Sequence, residues 1–92
     1  MGSKYQANPT ATLDLHRKTI AEAEILLNDF FETAQENKHQ QVLVITGKGL
    51  HSPSGAPTLR PFVKDWLFRH SYNFRPAKLN QGGDGALLIR IL

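Results

Sequence analysis

The chain has 92 residues, 40% of them hydrophobic and 21% charged, with a formal net charge of +3, figures that fit one folded domain and leave no room for a second core. It has no cysteine, which excludes disulfides, thiolate nucleophiles and Cys-ligated zinc. Its longest apolar runs, at 42–45 and 86–89, fall far short of the ~20 residues of a membrane-spanning helix.

Residues 1–10 are polar, with Gly2 and Pro9, and carry no apolar segment of a secretory signal. They are expected to form a flexible leader on a cytoplasmic protein, with the domain occupying 11–92. A short strand is predicted over 11–16, with Leu13 and Leu15 on one face and Asp14 and His16 on the other. Thr19-Ile20-Ala21-Glu22 has the spacing of a capping box, in which the hydroxyl and the carboxylate each satisfy an orphan backbone N–H. The helix it opens places Ile20, Ala23, Leu27, Phe30, Phe31 and Ala34 on one apolar stripe, with Glu22, Asp29, Glu32 and Glu36 facing out. Residues 41–46 follow as a strand whose unbroken Val42-Leu43-Val44-Ile45 run suits burial on both faces.

A Gly-Lys-Gly turn and an irregular stretch to about Pro57 come next. A second helix is predicted over 58–70, burying Leu59, Phe62, Val63, Trp66 and Leu67, with Pro61 in the first turn where its missing N–H is harmless. Residues 72–79 form a weaker strand that Pro76 confines to an edge. A glycine-rich turn then leads to a last strand at 86–91, with Leu87, Ile89 and Ile91 on one face. The order β-α-β-α-β-β predicts an α/β chain folded as an α+β two-layer sandwich. Its four-stranded mixed sheet would have a parallel first pair, a final hairpin and both helices on one face, leaving the other partly open. The final strand closing at the chain's last residues is what a complete C-terminal domain would present.

Charge is unevenly spread. Residues 1–37 hold three basic and six acidic side chains, whereas 38–78 hold seven basic ones (Lys38, Lys48, Arg60, Lys64, Arg69, Arg75, Lys78) against Asp65 alone. With His39, His51 and His70 in or beside it, that basic half points to a polyanionic partner or to a solvated basic face.

Polar groups gather at three strand ends: Leu13-Asp14-Leu15-His16, Thr46-Gly47-Lys48-Gly49 with His51 and Ser52, and Gly83-Asp84-Gly85. The first two close the strands taken as parallel, where open α/β sheets bind their ligands. An imidazole ordinarily titrates at about 6.5 and so serves as acid or base near neutrality, and Asp14 is close enough in sequence to bias it. Gly47, Lys48 and Gly49 could form a backbone nest for an anion. The spacing of a Walker A loop is absent, as are H-E-x-x-H and G-x-S-x-G, so nucleotide hydrolysis, a zinc centre and serine-hydrolase chemistry have no support. A two-metal phosphodiesterase would need more carboxylates than Asp14 and Asp84. Phe30, Phe31, Phe62 and Trp66 are assigned to the core, leaving Tyr5, Tyr72 and Phe74 as base-stacking candidates.

The three segments together resemble the Smr (small MutS-related) domain family, whose hallmarks are a Leu-Asp-Leu-His-Gly start, a Gly-x-Gly turn often followed by His-Ser, and a glycine-rich turn before the last strand. The resemblance spans about residues 11–92. It implies a fold like the C-terminal domain of bacterial translation initiation factor three, nucleic-acid binding and, in several members, cleavage of DNA or RNA. One position departs: Arg17 stands where the family usually has glycine.

The expectation is therefore a nucleic-acid endonuclease of DNA or RNA. Asp14, His16 and His51 would be catalytic. Arg17, Thr46, Gly47, Lys48, Gly49 and Ser52 would bind phosphate, and Lys64, Arg69, Arg75 and Lys78 the rest of the strand. Gly83, Asp84 and Gly85 would form the turn beside the site. No cofactor is required and no metal ligand set is assigned, with Mg²⁺ an optional aid that a DNA substrate would need more than an RNA one. The expected partners are nucleic acid and the ribosome, with no membrane, for a monomeric chain. The alternative is a non-catalytic module docking on DNA, RNA or the ribosome.

Overall fold

The computed structural model describes residues 9–47, 59–77 and 85–91. Six elements follow in order: β1 (Thr12–Asp14), α1 (Ile20–Glu36), β2 (Gln41–Ile45), α2 (Leu59–Arg69), β3 (Asn73–Pro76) and β4 (Ala86–Arg90). The strands form one sheet in the order β1-β2-β4-β3. β1 runs parallel to β2, with Leu13 opposite Val44, and β4 is antiparallel to both β2 and β3. This is the mixed sheet and final hairpin expected from the element order. Pro76 lies on an edge strand, as its missing donor requires.

The expected capping box opens α1. Thr19 Oγ1 accepts from the Glu22 amide at 3.0 Å, and the Thr19 amide donates to Glu22 Oε1 at 2.9 Å. Ala23, Leu27, Phe31 and Ala34 are buried along one stripe of α1, and Val63, Trp66 and Leu67 along one stripe of α2. Both stripes enter a single core with Leu15, Val42, Val44, Leu87 and Ile89, so both helices cover the same face of the sheet. Each fully buried leucine contributes about 1.5–3 kcal/mol by leaving water. Alternation along the strands turns Leu43, Ala86 and Leu88 to the other face, where with Ala77 they form a second small buried cluster. That face is thus less open than the element order alone predicts.

Element boundaries differ from the sequence reading, most at the end of β1 and the start of β3. β1 ends at Asp14 rather than at residue 16, because a turn begins at Leu15: the Lys18 amide donates to the Leu15 carbonyl at 3.0 Å. Both helices end in Schellman motifs. After α1 the Lys38 amide reaches the Gln35 carbonyl and the His39 amide that of Ala34; after α2 Ser71 reaches Phe68 and Tyr72 reaches Leu67. The left-handed residues of these motifs are Lys38 (φ 59°) and Ser71 (φ 63°), not glycine. Tyr72 is consequently part of the second motif rather than the start of β3. Its ring packs on Phe31 (centroids 4.7 Å apart) and Trp66 (6.1 Å), and its hydroxyl meets Gln35 Nε2. Burial pushes the Tyr72 phenol above its ordinary pKa.

Candidate active site

The C-terminal ends of β1 and β2 lie side by side, and past β1 the Leu15 amide still donates to the Ile45 carbonyl at 2.7 Å. That bond sets the start of the 15–18 turn beside the end of β2, with His16 next to Gly47. In the turn over 15–18 the third residue is Arg17, with φ 66°, while His16 keeps a negative φ. This is the sign pattern of a type II turn, whose third position belongs to glycine because a Cβ crowds the backbone there. The glycine usual in the Smr resemblance therefore has a backbone reason at position 17, and arginine holds that conformation here against its steric preference.

The turn folds His16 back over Asp14. One carboxylate oxygen, Asp14 Oδ1, accepts from the His16 amide at 3.1 Å and lies 2.5 Å from His16 Nδ1. The hydrogen bond from the imidazole, then that from the amide, hold the Asp14 carboxyl below its ordinary pKa of 3.8, and the positive Lys18 adds to the effect. A carboxylate on Nδ1 fixes the proton there and leaves Nε2 with its lone pair. The side chains of His16 and Asp14 are 53% and 49% exposed, so the pair lies at the surface and not in the core. A carboxylate orienting an accessible imidazole is an acid–base arrangement that can take or give a proton at Nε2.

Gly47 lies beside this pair. Its φ is +78°, and a Cβ built there would sit 3.6 Å from the His16 Cβ, an ordinary contact. Backbone conformation, not lack of space, is what calls for glycine. The Thr46 and Gly47 amides both donate to the Gly85 carbonyl, at 2.8 and 3.0 Å. Thr46 is 5% exposed and its hydroxyl donates to the Gly47 carbonyl at 2.9 Å and toward that of Gly85 at 3.4 Å. Thr46 and Gly85 thus clamp the end of β2 to the start of β4. Both amides and the hydroxyl are engaged within the protein, so in this structure these groups position the turn. The expected phosphate contacts at Lys48, Gly49 and Ser52, and the proton-transfer role of His51, fall outside the described residues, as do Lys78, Gly83 and Asp84.

The remaining expected residues stand apart from the pair. Lys64, Arg69 and Arg75 are exposed on α2 and β3, and Arg69 Nε forms an ion pair with Asp65 at 2.9 Å. Two other histidines have structural partners: His39 Nδ1 lies 2.6 Å from the Thr10 hydroxyl, and His70 Nδ1 lies 2.8 Å from the Trp66 carbonyl, its ring stacked on Trp66 at 4.0 Å. Among the described residues no three His, Asp or Glu side chains converge as a metal site. Tyr72 and Phe74 are partly buried and pack against the core, and Tyr5 lies outside the described residues. Phe68, by contrast, is 77% exposed. It lies off the apolar stripe of α2, the one signal in the sequence that marks it.

The chain matches the Smr domain family over residues 13–91. It is 42% identical over 86 residues to an uncharacterized protein of Treponema pallidum, a match covering 90% of this chain and 42% of that protein. It is 30% identical over 79 residues to endonuclease NBR9 of Saccharomyces cerevisiae, covering 86% of this chain and 32% of the yeast protein. The chain thus spans less than half the length of both relatives. Among solved structures, YdaL, a stand-alone small MutS-related protein from Escherichia coli, superposes with a TM-score of 0.81 at 28% identity, over 95% of this chain and 69% of that one.

Proposed function

The chain belongs to the Smr domain family, and on that premise we propose that it is an endonuclease domain that cuts phosphodiester bonds, with RNA the favoured substrate. The observation that carries the reading is the Asp14–His16 pair, with Nδ1 2.5 Å from the carboxylate and both side chains about half exposed at the joined ends of β1 and β2. The naming of the yeast relative as an endonuclease supports it.

In this reading Nε2 of His16 removes the proton of a substrate 2′-hydroxyl. The freed oxygen attacks the adjacent phosphorus, and the bond from phosphorus to the 5′-oxygen breaks. The leaving oxygen takes a proton from a second group, for which His51 is the candidate. The products are a 2′,3′-cyclic phosphate and a 5′-hydroxyl end. Asp14 keeps the imidazole in the required tautomer and stabilises the imidazolium formed. Arg17, exposed next to His16, is the phosphate contact whose charge meets the charge developing on the phosphoryl oxygens. An RNA substrate supplies its own nucleophile, so an acid–base pair and an anion contact suffice; DNA would need an external water.

The test is cleavage of end-labelled structured RNA, duplex DNA and supercoiled DNA, with Mg²⁺ or with EDTA, by the wild type and by His16→Ala. RNA cleavage that survives EDTA, leaves a cyclic phosphate and disappears in the variant is the expected result. Cleavage unchanged in His16→Ala overturns the assignment of His16. Binding of every substrate with cleavage of none overturns the endonuclease and leaves a docking module, the reading that exposed Lys64, Arg69 and Arg75 favour.

A further inference from the structure

The two helices carry opposite charge. Over its 17 residues α1 bears five acidic side chains (Glu22, Glu24, Asp29, Glu32, Glu36) and no lysine or arginine. Residues 59–77, which hold α2 and β3, bear four basic ones (Arg60, Lys64, Arg69, Arg75) and Asp65 alone. Because α1 follows β1 and α2 leads into β3, the sheet order sets the acidic helix toward the β1 edge and the basic layer toward the β3 edge. A polyanion is repelled from the first and drawn to the second.

Each helix also exposes one large apolar side chain, Ile25 (63%) on α1 and Phe68 (77%) on α2. Ile25 borders a shallow recess with Lys18, Glu22 and Leu26, yet it sits on the acidic helix. Phe68 sits on the basic one. Lys64 and Phe68 are four residues apart, so they stack on one row of the helix, about 5–6 Å between Cβ atoms. On the adjacent row Asp65 is already engaged by Arg69 at 2.9 Å, so the one carboxylate nearby is neutralised. An aromatic face open to solvent beside lysine is the pairing that holds unpaired bases: the ring stacks on the base and the ammonium meets the phosphate.

We propose that Phe68, with Lys64 beneath it, is a stacking platform for a single-stranded segment of the nucleic acid, on the outer face of α2. The inference rests on the nucleic-acid reading above and adds what that reading lacks, a site for unpaired bases separate from the Asp14–His16 pair. α2 starts from the end of the sheet where the pair lies and runs away from it, so Phe68, in its last turn, engages the strand at a distance from the scissile bond. An unpaired flank next to a structured region is the substrate class this selects.

The test is fluorescence anisotropy with a labelled single-stranded oligoribonucleotide and with the duplex of the same sequence, for the wild type, Phe68→Ala, Phe68→Leu and Phe68→Trp, each checked for folding by circular dichroism. Stacking of one base is worth about 1–3 kcal/mol, or 5- to 150-fold in affinity. Phe68→Ala and Phe68→Leu should lose that much on the single strand and less than twofold on the duplex, and Phe68→Trp should retain wild-type affinity. Wild-type single-strand binding by Phe68→Ala overturns the platform, as does full retention by Phe68→Leu, which would mean apolar contact without stacking. A concentration-dependent dimer that Phe68→Ala abolishes would also overturn it, assigning the patch to contact between copies. If the wild type binds neither strand nor duplex and cleaves nothing, the nucleic-acid reading itself falls. If it binds or cleaves while Phe68 is inert, only the platform falls.

Discussion

Arg17 holds a conformation that costs an L-residue about 1–2 kcal/mol relative to the right-handed regions. Glycine removes that cost but gives the unfolded chain extra freedom, worth about 0.4–1 kcal/mol in the opposite direction. The balance predicts that Arg17→Gly stabilises the fold by about 0.5–1 kcal/mol. For a chain of this length that is a rise in Tm of roughly 2–8 °C. Arg17→Ala keeps the Cβ and so gains nothing. The exposed guanidinium forms no part of the core, so neither variant loses packing there. If it is also the phosphate contact, both variants bind RNA more weakly, and the plot of log affinity against log salt loses about 0.7–0.9 of slope in each. Thermal or urea unfolding, run beside salt-dependent binding, separates the two roles. An Arg17→Gly variant no more stable than Arg17→Ala would refute the backbone argument, whatever happened to binding.

Three further expectations follow from the same geometry. Asp14→Asn should lower cleavage about a hundred- to ten-thousand-fold, since an amide cannot hold the imidazole in one tautomer, while leaving the melting temperature within a few degrees; single-turnover kinetics would show it. Asp14 and Glu22 are both held below their ordinary pKa values, so the folded chain binds fewer protons than the unfolded one at acid pH. The stability they lend is present above about pH 4 and is lost as pH falls through the depressed values. Thr19→Ala should weaken the cap by about 1 kcal/mol and, with Asp14→Asn, flatten that acid limb in denaturant titrations followed by circular dichroism. Lys38→Gly and Ser71→Gly should each raise stability by about 0.5–1 kcal/mol, because each relieves a Cβ in a left-handed Schellman position; unchanged unfolding midpoints would count against it.

Periodicity and local chemistry made most of the fold legible. The Thr19–Glu22 spacing marked the start of α1, the unbroken run at 42–45 marked a strand covered on both faces, and Pro76 marked an edge. What escaped was conformation imposed by tertiary demands on residues that do not advertise it. Lys38 and Ser71 end helices in the place of glycine, so neither helix end carried its usual signal. The union of strand ends was predictable from the parallel pair. The direct Asp14–His16 contact was not: an extended strand sets those side chains on one face without joining them, and only the turn at Arg17 folds the imidazole onto the carboxylate. Phe68 was hidden for another reason. Composition counts it with the core residues, and only its place opposite the apolar stripe of α2 shows that it faces water.

The two edges of the sheet bear on whether strands of other chains can add to it. An exposed edge strand offers unpaired amides and carbonyls to any other strand, which is how sheets add chain upon chain into aggregates. Here β1 is only three residues long, and β3 carries an exposed arginine at 75 and proline at 76, which cannot donate. The turn that brings His16 onto Asp14 is also what stops β1 from running further. The bend that builds the site thus keeps one border of the sheet too short to template a neighbouring strand, and substitutions that straighten it should be read for loss of solubility as well as loss of activity.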